Sequence, residues 1–150
     1  MMQSTARVPV LSLLVACGLA CGPGDTSGFG PEVVRSAVVD WSFAEDLELA
    51  SLQTSSPPRS RAVWVLVHDG ELYISTGIAR RAQWPRQLQA DPVVLLRLED
   101  RLYLRSATWV TDTTERATLR EAVREKYGAA PRGDDESGGF FRMDAAPAHG

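Results

Sequence analysis

The stretch that decides the fold is Arg59 to Pro92, RSRAVWVLVHDGELYISTGIARRAQWPRQLQADP. Ala62 to Val67 is a run of β-favouring apolar residues, and Leu72 to Thr76 is a second. Asp69-Gly70 lies between them. A two-residue hairpin of type I′ needs positive φ at both central positions, which Asp and Gly tolerate, so the pair predicts a tight antiparallel hairpin. Beyond Gly77 come the adjacent arginines Arg80 and Arg81. Trp84-Pro85 then opens a short helix, with proline suited to its first turn and Trp84 and Leu88 spaced to share a face. Asp91-Pro92 ends it. A hairpin leading into a cationic turn is a reasonable place to hold an anion.

Downstream, Val93 to Leu98 reads as a strand, Glu99 to Arg101 as a turn, and Leu102 to Val110 as a returning strand with two different faces. Leu102, Leu104, Ser106 and Thr108 form one face, and Tyr103, Arg105, Ala107 and Trp109 the other. Asp112 caps a helix, Glu115 follows in capping-box position, Leu119, Val123 and Tyr127 form an i, i+4 stripe, and Gly128 supplies the stop. Ala129 to Gly139 is a polar loop, and Phe140 to Met143 a last strand. Upstream, Leu47 to Thr54 reads as a first strand that Ser55 to Ser60, with its paired prolines, breaks. Glu32 to Asp46 fits either a short helix through Val33, Val34, Ala37 and Val38 or an extended segment over Val38 to Trp41. Trp64, Trp109 and a Tyr73–Tyr103 pair are expected to pack in the core or across strands. Short antiparallel strands with two or three helices in the connections give an α+β domain built on a small closed or partly closed barrel.

The 150 residues leave room for one domain after the terminal segments are set aside. Hydrophobic residues at 44%, charged residues at 23% and a net charge of -3 argue against nucleic acid as a partner. Both cysteines, Cys17 and Cys21, precede the domain, so it has no disulfide framework, no thiolate metal site and no cysteine nucleophile. His68 and His149 are the only histidines and carry no metal-ligand spacing.

Met1 to Arg7 is short and basic, and Val8 to Ala16 is an apolar run too short to span a bilayer permanently. It ends in Leu14-Val15-Ala16-Cys17-Gly18, which resembles the bacterial lipobox. The resemblance implies a signal peptide over residues 1–16, lipidation of Cys17, and a cell-envelope protein held to a membrane by its lipid. Cys21, after Gly18-Leu19-Ala20, is the alternative lipidation site, and plain secretion the alternative fate. Residues 17–31, rich in Gly, Pro and small polar residues towards Pro31, read as a flexible tether. Residues 32–143 form the domain and 144–150 a disordered tail.

Leu72 to Pro92 also resembles the FMN-binding split barrels, the superfamily of pyridoxamine 5′-phosphate oxidases, flavin reductases and deazaflavin-dependent nitroreductases. Ile74-Ser75 falls where the oxidase branch has an aromatic-threonine pair. Ala79-Arg80-Arg81 falls on its Ser-Arg-Lys phosphate cradle. Trp84 to Pro92 resembles the Trp-x-x-Asn-Leu-x-Ala-Asn-Pro of the deazaflavin branch, and Lys126-Tyr127-Gly128 is similar to a helix end of short members. Ala79 and Gln87 depart from these patterns.

The resemblance implies FMN or a deazaflavin as cofactor, with Arg80 and Arg81 holding its phosphate and Arg59 or Arg61 approaching from the neighbouring strand. Ser75 and Thr76 would add hydroxyls, and Trp84 a stacking surface. It also implies a homodimer. A flavin carries its own redox chemistry, so the lack of an acid–base pair is compatible with an oxidoreductase. Export of an unfolded chain without cofactor favours the rival reading: the same barrel as a cofactor-free envelope lipoprotein, with solvated arginines and a core Trp84.

Cys17→Ser is expected to leave an unprocessed, unacylated precursor, whereas Cys21→Ser still matures. Intact mass of the membrane fraction checks this, and normal lipid addition to the Cys17→Ser protein would move the anchor to Cys21.

Overall fold

The computed structural model describes residues 32–77, 82–128 and 138–148. The expected signal peptide, Cys17, Cys21, the tether, Arg80 and Arg81 lie outside the described residues. Among the described residues there are seven strands: β1 (Val33–Val34), β2 (Leu49–Ser55), β3 (Pro58–His68), β4 (Glu71–Ser75), β5 (Val93–Leu98), β6 (Arg101–Trp109) and β7 (Phe140–Ala145). Helix α1 spans Trp84–Ala90, α2 spans Thr113–Tyr127, and a 3-10 turn covers Ser42–Ala44. The strands run in the order β6-β5-β2-β3-β4-β7, and β7 pairs back onto β6, closing a six-stranded antiparallel barrel. β1 lies outside this ring, parallel to β6 at Leu102 and Tyr103. The split-barrel α+β architecture expected from the sequence is the one observed.

The Asp69-Gly70 turn has φ of 50° and 77°, the positive pair that a type I′ turn requires. It fixes the β3–β4 register, Trp64 opposite Ser75 and His68 opposite Glu71. Alternation then sends Val63, Val65, Leu72 and Ile74 into the barrel, where they meet Leu52, Val94, Leu96, Phe141 and Met143. The opposite faces of β3, β4 and β7 give Leu66, Tyr73 and Phe140 to a second apolar layer, sealed by Leu119 and Val123 of α2.

Helix α2 is held at both ends. At its start, Asp112 Oδ1 accepts the Glu115 N–H at 2.7 Å, and Glu115 Oε1 accepts the Tyr73 hydroxyl at 3.0 Å. Burial first, then Glu115, pushes the Tyr73 phenol up to about 12, so it donates as a neutral group. At its end, Gly128 takes φ of 68°, the Tyr127 hydroxyl donates to the Glu48 carbonyl at 2.7 Å, and Lys126 Nζ donates to the Val65 carbonyl at 3.0 Å.

Four expectations are corrected. Glu32 to Asp46 is not a helix: Val33–Val34 pairs with β6, and only Ser42–Ala44 turns helically. Ser55 to Ser60 interrupts pairing only at residues 56 and 57. β3 begins at Pro58, at the hairpin end, where a missing N–H is tolerated. The domain does not stop at Met143, because β7 runs to Ala145 and Asp144 is held by Arg142 Nε at 2.8 Å and by the Thr108 hydroxyl at 2.6 Å. Tyr73 and Tyr103 do not pair. Tyr73 belongs to the layer under α2, while Tyr103 lies in the barrel with its ring 5.3 Å from that of Trp41.

Gly70→Val is expected to lower stability by about 1–3 kcal/mol, because a β-branched residue resists positive φ. A Cβ there would meet nothing within 4 Å, so strain rather than a clash is what a urea or thermal melt would read. An unchanged midpoint would rule out the turn as described.

Candidate functional site

Where β3, β4 and the start of α1 converge, the barrel rim carries a cleft of about 380 Å³ lined by Ala62, Val63, Trp64, Ser75, Thr76, Gly77 and Trp84. The hairpin register explains why these residues meet. Trp64 and Ser75 are directly opposite, Ala62 and Val63 continue β3, and Thr76 and Gly77 continue β4. Trp84, at the first position of α1, closes the other side. Its indole is 7% exposed and packs with its ring centroid 6.2 Å from that of Phe141. Trp84 is therefore both core and cleft wall.

The Arg61 guanidinium lies 5.2 Å above the Trp84 ring. Its Nε is buried and makes no hydrogen bond. Burial, then the charge of Arg59, lowers its pKa from the ordinary value, so it gains from a nearby anion. The Arg59 side chain is exposed and its carbonyl accepts the Thr54 hydroxyl at 3.4 Å.

The two hydroxyl residues differ. Ser75 Oγ accepts the Gly77 N–H at 3.2 Å and keeps its own proton to donate. Thr76 Oγ1 accepts the Gly139 N–H at 2.8 Å and donates to the Gly139 carbonyl at 3.2 Å, while the Thr76 N–H donates to the same carbonyl at 2.9 Å. Both capacities of that hydroxyl are used. Thr76 fastens β4 to the approach of β7; it is not a ready ligand for a phosphate.

Of the residues expected at the site, Ser75, Thr76 and Trp84 line the cleft, Arg61 stacks on its wall, and Arg59 stands off from it. Trp64 was expected only as packing, yet it lines the cleft and stacks at 4.8 Å on Tyr127. Counting back from the Asp69-Gly70 turn would have paired it with Ser75. Among the described residues, no group of three or more His, Cys, Asp or Glu side chains could hold a metal ion.

No protein-family model matches the sequence. No curated protein matches it either. Among solved structures, the chain is similar to the "putative pyridoxamine 5′-phosphate oxidase" from Listeria innocua, at 16% identity with a TM-score of 0.54, over 68% of this chain and 86% of that one. That likeness establishes the split-barrel fold.

Thr76→Val is expected to destabilise the domain by about 1–3 kcal/mol by leaving the buried Gly139 N–H with no acceptor. Thr76→Ser is expected to restore most of the loss. Urea denaturation of both variants checks this, and equal losses would mean that the methyl group, not the hydroxyl, matters.

Proposed function

We propose that the protein is a lipid-anchored split barrel of the cell envelope that binds a phosphorylated flavin or deazaflavin in the rim cleft and acts as an oxidoreductase through it. The observation that carries this reading is the Arg61 guanidinium, with a buried and unpartnered Nε, stacked on the tryptophan that walls the cleft. The cleft volume falls within the roughly 300–1,000 Å³ of small-molecule sites. Trp64 and Trp84 offer aromatic surface to a flat ring, and Ser75 offers a free hydroxyl proton.

Arg80 and Arg81 complete the reading through chain connectivity. A chain spans at most about 3.6 Å per residue, so Arg80, three residues past Gly77, keeps its Cα within about 11 Å of the cleft lining. Arg81 is under the same bound from Trp84. Guanidinium groups suit a phosphate because their planar fork meets two oxygens at once. In this reading Arg61, Arg80 and Arg81 hold the phosphate, Ser75 donates to it or to a ring carbonyl, and the tryptophans exclude water from one side of the ring. The cofactor, when bound, supplies the redox chemistry.

The second reading keeps the fold and the anchor and drops the cofactor. It is favoured by Thr76, whose hydroxyl is fully used by Gly139, and by Ala79, where the oxidase branch has a serine.

The test is binding of FMN, a deazaflavin and riboflavin, read by fluorescence quenching. FMN is expected to bind distinctly better than riboflavin. Arg61→Ala and Arg81→Ala are each expected to weaken FMN binding about ten- to a hundredfold, since a charge-assisted bond contributes about 1.5–3 kcal/mol. Riboflavin, lacking the phosphate, is expected to lose little, and added salt to narrow the gap. Absence of FMN and deazaflavin binding at micromolar protein would leave the cofactor-free reading.

A further inference from the structure

The two tryptophans that line the rim cleft are held differently. Trp84 is 7% exposed, with the Arg61 guanidinium 5.2 Å above its ring and Phe141 tilted against it. Little of its surface is left for a ligand. Trp64 is only half-buried, and the Tyr127 ring lies nearly parallel to it, 10° from coplanar with the centroids 4.8 Å apart. A planar ring has two faces, so Tyr127 leaves Trp64 at most one to offer.

Tyr127 is fixed at its other end. Its hydroxyl donates to the Glu48 carbonyl at 2.7 Å, has the Val65 carbonyl 2.5 Å away, and accepts the Val65 N–H at 3.2 Å. Burial pushes the phenol up to about 12, so it stays neutral and keeps the proton it donates. One side chain therefore grips two adjacent residues of β3, Trp64 through its ring and Val65 through its hydroxyl. Lys126 adds a second tie, from Nζ to the Val65 carbonyl at 3.0 Å. The last turn of α2 thus braces the cleft-lining indole from behind.

We propose that Trp64 is the surface on which a flat, electron-poor conjugated ring stacks in the cleft, with Tyr127 as the positioning residue that holds the indole for it. The indole is electron-rich, and offset stacking on an electron-poor heteroaromatic uses that difference. Ser75, directly across the ladder from Trp64, keeps a hydroxyl proton and gives the ring's edge a donor, so the ring carries an acceptor there. An unbraced indole loses rotamer freedom when a ligand docks, and the Tyr127 grip removes that cost beforehand. This deepens the cofactor reading and rests on it for the presence of a ring; it assigns the ring to Trp64 and the control of its seat to α2.

The experiment titrates the full-length protein with FMN, riboflavin and lumichrome, the bare ring, reading affinity by heat and the emission of the bound ring at saturation. A flavin stacked on an indole is darkened by electron transfer from it, a signature that a merely structural role would not produce. Wild type is expected to bind with the ring dark. Trp64→Leu is expected to weaken all three ligands about tenfold and to restore emission. Tyr127→Leu is expected to do the same in part, whereas Tyr127→Phe, which keeps the stack, stays dark and binds within about twofold of wild type. The inference is overturned if the ring bound to wild type stays bright, if it stays dark in Trp64→Leu, or if Tyr127→Phe loses as much as Tyr127→Leu. The wild-type emission decides even where a leucine variant fails to fold. If FMN binds and Trp64→Leu changes nothing, this inference falls and the cofactor reading stands. If lumichrome and riboflavin match FMN and the variants respond as expected, the inference stands and the phosphate contacts fall. If no ring binds, both fall.

Discussion

Everything in this domain depends on one insertion: β7 must lie between β4 and β6. Without it both strands end in unpaired edges and the sheet stays open. The closure is prepared just before β7. Gly139 is tied to Thr76 by a reciprocal backbone and side-chain clasp. It also lies against the Trp109 indole so closely that a Cβ would sit 2.0 Å from the ring edge. Only glycine permits that approach. Phe140 and Phe141 follow immediately, one to the layer under α2 and the other into the barrel. A single residue step thus feeds both apolar layers, which is why the closing strand knits the helix and the barrel together.

The rim cleft is a by-product of the same geometry. Thr76 is spent on closure, so the serine beside it retains a donor, and the tryptophan across the ladder from that serine is left facing the gap. Trp84 then closes the gap from α1 while its ring also packs with Phe141 of the closing strand. The polar character of the cleft comes from what barrel closure leaves over, and Arg61, which pairs opposite Leu52 near the start of β3, meets it only through the Trp84 ring.

How much of this could be read from the residues follows from the range of the forces involved. The Asp69-Gly70 turn, the α2 cap at Asp112, its Leu119–Val123 stripe and the Gly128 stop are local, and each is found where its local chemistry puts it. The pairing of β2 with β3 through Pro57 and Pro58 was hidden because proline signals a break, and nothing local says that the break lasts only two residues. The face of β6 that enters the barrel was also hidden. A burial rule would choose Leu102 and Leu104 for the inside, yet Tyr103, Arg105 and Ala107 go in, because Trp41 supplies an aromatic surface for the guanidinium. Ser75 and Trp84 line the cleft, but only the resemblance to the split barrels had pointed to them; their own type and spacing equally suit a strand serine and a core tryptophan. The commitment of Thr76 to Gly139 was not legible, since 63 residues of chain separate them.

The smallest strand has a mechanical consequence. β1 is two residues long, joins its neighbour in parallel, and stands outside a ring that closes without it. A pull on the chain ahead of Val33 is therefore borne first by a two-rung parallel contact, while the hydrogen bonds of the six closed strands lie beyond it in series. Load applied there strips β1 before it reaches the barrel. The ring closes without β1, and the edge that its loss uncovers is that of β6 at Leu102 and Tyr103.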